Sequence, residues 1–160
     1  GCVMVKMCRL IFGLFGCGKL GCIALLGSVY FFQHVLGYAA CKMCIWQRWP
    51  HVIAIFIGII TLALRDARFA FLGGLAALTT SAIGLYHAGV EQKWWEGPNT
   101  CTSGSTEGMS ATDLLNQILA APVVRCDEIA WDFIGVSMAG WNSIISLGFA
   151  IIWFTAFAKR

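Results

Sequence analysis

Four long apolar runs, separated by short polar clusters, set the layout of this chain. Leu20–Leu36 follows Lys19. Ile45–Leu64 carries Arg48 and His51 in its first turns and closes at Arg65, and Phe69–Tyr86 holds no charge at all. Trp141–Ala158 ends at Lys159 and Arg160. A helix that crosses hydrocarbon needs about 20 mostly apolar residues, and fewer suffice where flanking side chains snorkel. The pattern predicts an all-α, polytopic membrane protein. It is expected to be one domain over 1–160, an up-down bundle of four transmembrane helices with outer loops at about 37–44 and 88–140. Within the second loop, Ser110 precedes Asp113 by three residues in the manner of a capping box. Leu114, Leu115, Ile118 and Leu119 then share one face before Pro122, which predicts a short amphipathic helix. Such a helix rests on the bilayer surface or on other loop residues.

Composition agrees with that solvent. Apolar residues make up 59% and charged ones 12%, against about 25% charged in an ordinary soluble domain. Basic residues of short loops favour the cytoplasmic side. With the N-terminus inside, that side holds Lys6, Arg9, Lys19, Arg65, Arg68, Lys159 and Arg160, with Asp66 its only acid. The outer side then holds Lys42, Arg48, Lys93 and Arg125 beside the remaining acids. Both termini are therefore expected in the cytoplasm. The apolar run after Lys19 ends in Phe31-Phe32-Gln33-His34 without a small-residue cleavage pattern, so it reads as a helix and not as a removable signal peptide. Nothing in the chain suggests nucleic-acid binding.

This topology sorts eight cysteines into two groups. Cys2, Cys8, Cys17 and Cys22 fall on the reducing side and read as small buried apolar residues. Cys41 and Cys44 lie in the first outer loop, Cys101 and Cys126 in the second. Disulfides persist outside the cytoplasm, so the two outer pairs are expected to be two disulfides. A zinc site would need four thiolates in a closed set, usually from two short-spaced pairs. Cys101 and Cys126 are 25 residues apart, which disfavours a metal.

The string Cys41-Lys42-Met43-Cys44-Ile45-Trp46-Gln47-Arg48-Trp49-Pro50 concentrates the chemistry. A Cys-x-x-Cys pair closes a small, readily opened disulfide, and its reactivity follows the thiolate. Cys44 sits where a helix begins, and a helix N-terminus favours an anion. Arg48 is one turn further along the same face. A fixed cation at the membrane edge is costly without a task, and a quinone carbonyl would give it one. Pro50 is placed in the first turns, where amide donors are free. A structural disulfide, with Arg48 as an interfacial anchor, is the plain alternative. His34, His51 and His87 all fall near outer helix ends at about the depth of Arg48, where interfacial position alone accounts for a histidine.

Beyond its N-terminus the chain resembles the DsbB family of quinone-dependent, disulfide-forming membrane proteins. The likeness rests on Tyr30-Phe31-Phe32-Gln33-His34-Val35-Leu36-Gly37 leading into Cys-x-x-Cys-Ile-Trp-Gln-Arg-Trp-Pro. It rests also on Cys126-Asp127-Glu128-Ile129-Ala130-Trp131-Asp132-Phe133-Ile134-Gly135. The resemblance implies a thiol oxidase of the bacterial inner membrane with Cys41, Cys44, Cys101 and Cys126 as catalytic residues. Cys101 would be attacked by a reduced thioredoxin-fold periplasmic partner of the DsbA type, with Cys126 as its disulfide mate. Electrons would pass through Cys41–Cys44 to ubiquinone or menaquinone, bound beside Arg48 and His87. No flavin or nicotinamide motif is present. Gln47 stands where some members carry Glu, and the four N-terminal cysteines lie outside the family pattern. Trp131 and Asp132 are expected to fold the second loop. The contrasting reading is a non-enzymatic membrane protein whose outer loops are stapled by disulfides.

Overall fold

The computed structural model describes residues 13, 20–98, 101, 110–120 and 124–159. Cys2, Cys8, Cys17, Lys6, Arg9, Lys19, Pro122 and Arg160 lie outside these. Helix α1 is Leu20–His34, α2 is Lys42–Leu64 and α3 is Ala70–Glu91, led in by a 3-10 turn at Ala67–Phe69. A short α4 spans Ala111–Ala120. A hairpin of β1 (Asp132–Phe133) and β2 (Val136–Ser137) leads directly into α5, Met138–Ala158. Among the described residues, three helices are long and apolar enough to cross a membrane: α2, α3 with its lead-in, and α5. Helix α1 is apolar but shorter.

Helices α2 and α5 begin before their apolar stripes because side chains cap them there. Helix α2 begins at Lys42, not at Ile45, since Cys41 is its N-cap and Cys41 Sγ accepts the Cys44 N–H at 3.1 Å. Pro50 therefore lies two turns into the helix instead of in its first turns, and it leaves one main-chain carbonyl without its usual donor. Helix α5 begins at Met138, three residues before Trp141, because Ser137 Oγ accepts the Gly140 N–H at 3.2 Å. Helix α3 passes Tyr86 and His87 and continues to Glu91, ending where Lys93 turns to a positive φ of 61°. In the hairpin, Ile134 and Gly135 occupy the two-residue turn with φ of 55° and 73°, the geometry of a turn with both central residues left-handed. Ser110 caps α4 through Asp113 N at 3.2 Å, as its sequence motif implies.

Large apolar side chains point outward and small ones inward. Phe56 is 62% exposed, Ile144 and Ile151 each 56%. The interior holds Ala70, Ala77, Ala150 and Ala156 around Trp153. This is the packing expected where lipid is as apolar as the core and helices associate through close approach of small residues. Cys22 is fully buried against Ala54 and Ala76, the small apolar role its position implies. Gly84 is the tightest case against main chain: a Cβ there would lie 2.9 Å from Ala139 O and 3.1 Å from Ser143 N. Gly84→Val is therefore expected to separate α3 from α5 at a cost of about 1–3 kcal/mol. Gly148→Ala, with open space around it, serves as the neutral comparison in thermal unfolding in detergent. Equal stability of the two variants would show that the contact is dispensable.

Candidate active site

Cys41, Cys101 and Cys126 meet in one buried cluster with Met43 and Val90, and Cys44 packs against it. Cys101 and Cys126 are disulfide-bonded. The second expected bridge is absent: Cys41 and Cys44 are free thiols. Cys41 Sγ is engaged as a helix cap, and the two thiols are hydrogen-bonded to one another. That hydrogen bond, together with burial, pushes the Cys41 thiol up from its ordinary value. The Cys41 and Cys126 sulfurs and a His87 ring nitrogen all lie within 4.8 Å of one another. Cys126 is thus the member of the second pair that faces the first. Cys101 and Cys126 are both fully buried. The main chain holds them there, with Cys101 N donating to Pro98 O and Cys126 N to Cys101 O.

Beside the sulfurs lies a cavity of about 350 Å³. Cys44, Gln47, Arg48 and His51 reach it from α2 and His87 from α3. Apolar walls come from α1, from α5 and from Trp131 and Phe133 of the second loop. Arg48 is held from α1, its guanidinium carbon 5.1 Å from the Tyr30 ring centre. Its Nε is buried without a hydrogen-bond partner among the described residues, as is His51 Nδ1. Trp131 does more than fold the second loop. It packs edge-on against Phe32 of α1 at 5.2 Å and stacks on Phe133, which closes one side of the cavity.

A chain of hydrogen bonds runs behind the cavity. His87 Nε2 is 3.6 Å from Cys41 Sγ, and its Nδ1 is 2.8 Å from Gln47 Nε2. Gln47 Oε1 accepts from Asn142 Nδ2 at 2.7 Å, and Asn142 Oδ1 lies 2.9 Å from His51 Nε2. Thr80 donates to Gln47 O at 2.9 Å. Glu91, one turn beyond His87, places Oε1 3.7 Å from His87 Nε2.

Next to the disulfide, Asp127 ties the second loop to the end of α3 through Lys93 Nζ at 2.9 Å and Arg125 Nη2 at 2.6 Å. The Arg125 guanidinium, with Lys93, holds the Asp127 carboxyl well below the usual carboxylate range. A depressed carboxyl contributes stability above its ordinary value and loses it only as pH falls through the lowered one. Asp127→Asn is accordingly expected to carry the same penalty at pH 8 and pH 5 in paired unfolding measurements. The absence of a penalty at both pH values would show that the carboxyl is not held down.

Comparison with known proteins converges on one description. The sequence profile of "Disulfide bond formation protein DsbB" matches residues 11–156. A Disulfide bond formation protein B of Albidiferax ferrireducens is 31% identical over 153 residues, covering 88% of this chain and 86% of that protein. Disulfide bond formation protein B 2 of Pseudomonas aeruginosa is 32% identical over 132 residues, 77% of this chain and 76% of its own length. The chain belongs to the DsbB family. It is a disulfide-bond-forming membrane protein, and the family's chemistry is that of an oxidoreductase. A Polaromonas relative, 29% identical over 141 residues, covers 84% of the chain. No solved structure is significantly similar to it.

Of the residues singled out by sequence, Cys41, Cys44, Cys101, Cys126, Arg48 and His87 all lie at this one site. Gln47, noted in the sequence as standing where some family members carry Glu, belongs to it as well, and so do Thr80, Asn142 and Glu91, which were not anticipated. Their signal was available, since each is a polar residue inside or at the end of an apolar helix, where polar groups are costly unless paired.

Proposed function

We propose that the protein is a quinone-dependent thiol oxidase that reoxidises a DsbA-like periplasmic dithiol protein. In this reading α1 is the fourth span of an up-down bundle in the bacterial inner membrane, with both termini cytoplasmic. The basic residues that favour the inner side support that orientation. The observation that carries the reading is that Cys44 opens on an apolar cavity lined also by a buried, unpartnered Arg48 Nε, while Cys41 faces Cys126. The plain alternative, stapled loops without redox work, gives neither the cavity nor the free Cys41–Cys44 pair a purpose.

A quinone suits this cavity. Its ring is flat and apolar, and its carbonyl oxygens are acceptors that Arg48 Nε lacks in its present surroundings. When bound, the quinone supplies a sink for two electrons and two protons. The chain's residues do the rest by thiol exchange. A partner thiolate attacks Cys101 and releases the Cys126 thiolate, which attacks Cys41 of the closed Cys41–Cys44 bridge. Cys44 leaves as a thiolate at a helix N-terminus near Arg48, where an anion is favoured. The partner's second thiol then displaces Cys101, and Cys101 displaces Cys41 from Cys126. What results is a bonded Cys101–Cys126 pair and a free Cys41–Cys44 pair, the arrangement described above. The Cys41–Cys44 dithiol would then close again, with a quinone held by Arg48 supplying the acceptor for its two electrons and two protons. Attack at Cys101 requires that the covering of its sulfur be drawn aside, a task that falls to the partner.

The test is direct. Purified protein mixed with a reduced DsbA-type protein and a short-chain ubiquinone or menaquinone should consume one quinone per dithiol, read from the loss of quinone absorbance. No consumption by protein with intact cysteines would favour the stapled-loop alternative.

A further inference from the structure

The two histidines at the cavity differ in what they offer it, and the difference can be derived from the amides between them. Gln47 Nε2 lies 3.4 Å from Met43 O, and Asn142 Nδ2 lies 3.5 Å from Thr80 O. Turning either amide over would set oxygen against a main-chain oxygen, so both orientations are fixed. Asn142 Oδ1 can only accept, so His51 Nε2 carries a proton and donates to it at 2.9 Å. Thr80 Oγ1, already donating to Gln47 O, accepts from the same His51 N–H at 3.3 Å. Gln47 Nε2 can only donate, so His87 Nδ1 is the acceptor and His87 Nε2–H faces Cys41 Sγ. Donors therefore run head to tail from His51 through Asn142, Gln47 and His87 to Cys41. In such a chain each link polarises the next.

His51 Nδ1 is thereby left as a bare acceptor. His51 is 3% exposed, lines the cavity, and its Nδ1 has no hydrogen-bond partner among the described residues. Leaving a buried acceptor unmet costs free energy, so an occupant with a donor is favoured there. A quinone has none, because its ring oxygens only accept. Its reduced form has two O–H groups. We infer that His51, fixed by Asn142, recognises the hydroquinone by accepting a ring O–H at Nδ1, so that the site holds the reduced form more tightly than the oxidised one. This rests on the quinone reading above and assigns within it a second polar contact, distinct from Arg48 and from His87. Arg48 Nε, three residues earlier on the same face of α2, can donate to either form. His51 discriminates between them. Tighter binding of the product of reduction makes the bound quinone a stronger oxidant, which is the direction needed to draw electrons from a disulfide-forming pair.

Two measurements test this. The first uses protein with 15N-labelled histidine and no added quinone. Nitrogen chemical shifts should report His51 as the Nε2–H tautomer, and Asn142→Leu should mix the tautomers. A His51 protonated at Nδ1 in the otherwise native protein overturns the inference. The second uses Cys41→Ser/Cys44→Ser protein, in which nothing turns over, titrated with a short-chain ubiquinone and separately with its quinol. The quinol is expected to bind about tenfold more tightly, equivalent to a potential about 30 mV higher for the bound couple. His51→Phe should remove that preference while quinone affinity stays within about twofold. Equal losses for both forms, or an unchanged preference, would assign His51 to packing and overturn the inference while leaving the quinone reading in place. Failure of the parent protein to take up either form would overturn the quinone reading and this inference together.

Discussion

Cys44→Ser protein is expected to lose quinone reduction by a dithiol partner on the order of 10³-fold or more, the scale met when an essential nucleophile is removed. The loss follows from position. Cys44 is the cysteine that lines the cavity, whereas Cys41 is turned into the sulfur cluster with Cys126 and His87. Without Cys44 the dithiol that must close beside the cavity no longer exists, so no quinone in the cavity can be served.

The same variant makes a second, structural expectation. Cys41 loses its partner but keeps its place within 4.8 Å of the Cys126 sulfur, with His87 Nε2 at 3.6 Å to stabilise it as a thiolate. Its attack on Cys126 would release Cys101, so a Cys41–Cys126 bridge between the loops should accumulate. Acid-quenched, non-reducing peptide mapping would find it. A bridge from Cys41 to Cys101, or quinone reduction persisting at the native rate, would overturn the order of the relay.

Much of this site was legible in the chain because its chemistry is carried by residue types that are conspicuous where they stand. Cysteines sorted by membrane side, and an arginine one turn into an apolar helix, have few bland explanations. The network behind them was not legible. Gln47, Thr80 and Asn142 are far apart in sequence and become neighbours only when α2, α3 and α5 pack. Glu91 read as one more outer-loop acid, since the apolar run after Phe69 stops at Tyr86. Burial of Gly89 and Val90 carries the helix on and draws the carboxylate inside. The helix starts at Lys42 and Met138 depend on single side-chain caps by Cys41 and Ser137, which an apolar stripe does not register. Burial of Cys101 was not legible for a related reason: turn-forming neighbours such as Gly97-Pro98 describe the local path of a loop and not what the loop rests against.

Arg48→Ala is expected to raise the apparent KM for quinone by about 10- to 100-fold, the loss of one charge-assisted hydrogen bond worth about 1.5–3 kcal/mol. The disulfide between Cys101 and Cys126 should survive and the fold should change little. Arg48 lies outside the hydrogen-bond chain that joins α2, α3 and α5, and its guanidinium packs over the Tyr30 ring of α1. Arg48→Lys should restore part of the affinity, because lysine keeps the charge but loses the planar fork and the Nε donor that stands unpartnered here. Tyr30→Leu, which removes the ring beneath the guanidinium, should produce a smaller rise in the same constant, since a cation–π contact is worth about 0.5–2 kcal/mol. The order Ala, then Lys, then Leu at Tyr30 is the signature of a donor held in place for an acceptor in the cavity. A quinone dependence left unchanged by Arg48→Ala would remove Arg48 from the site and leave the cavity without its carbonyl anchor.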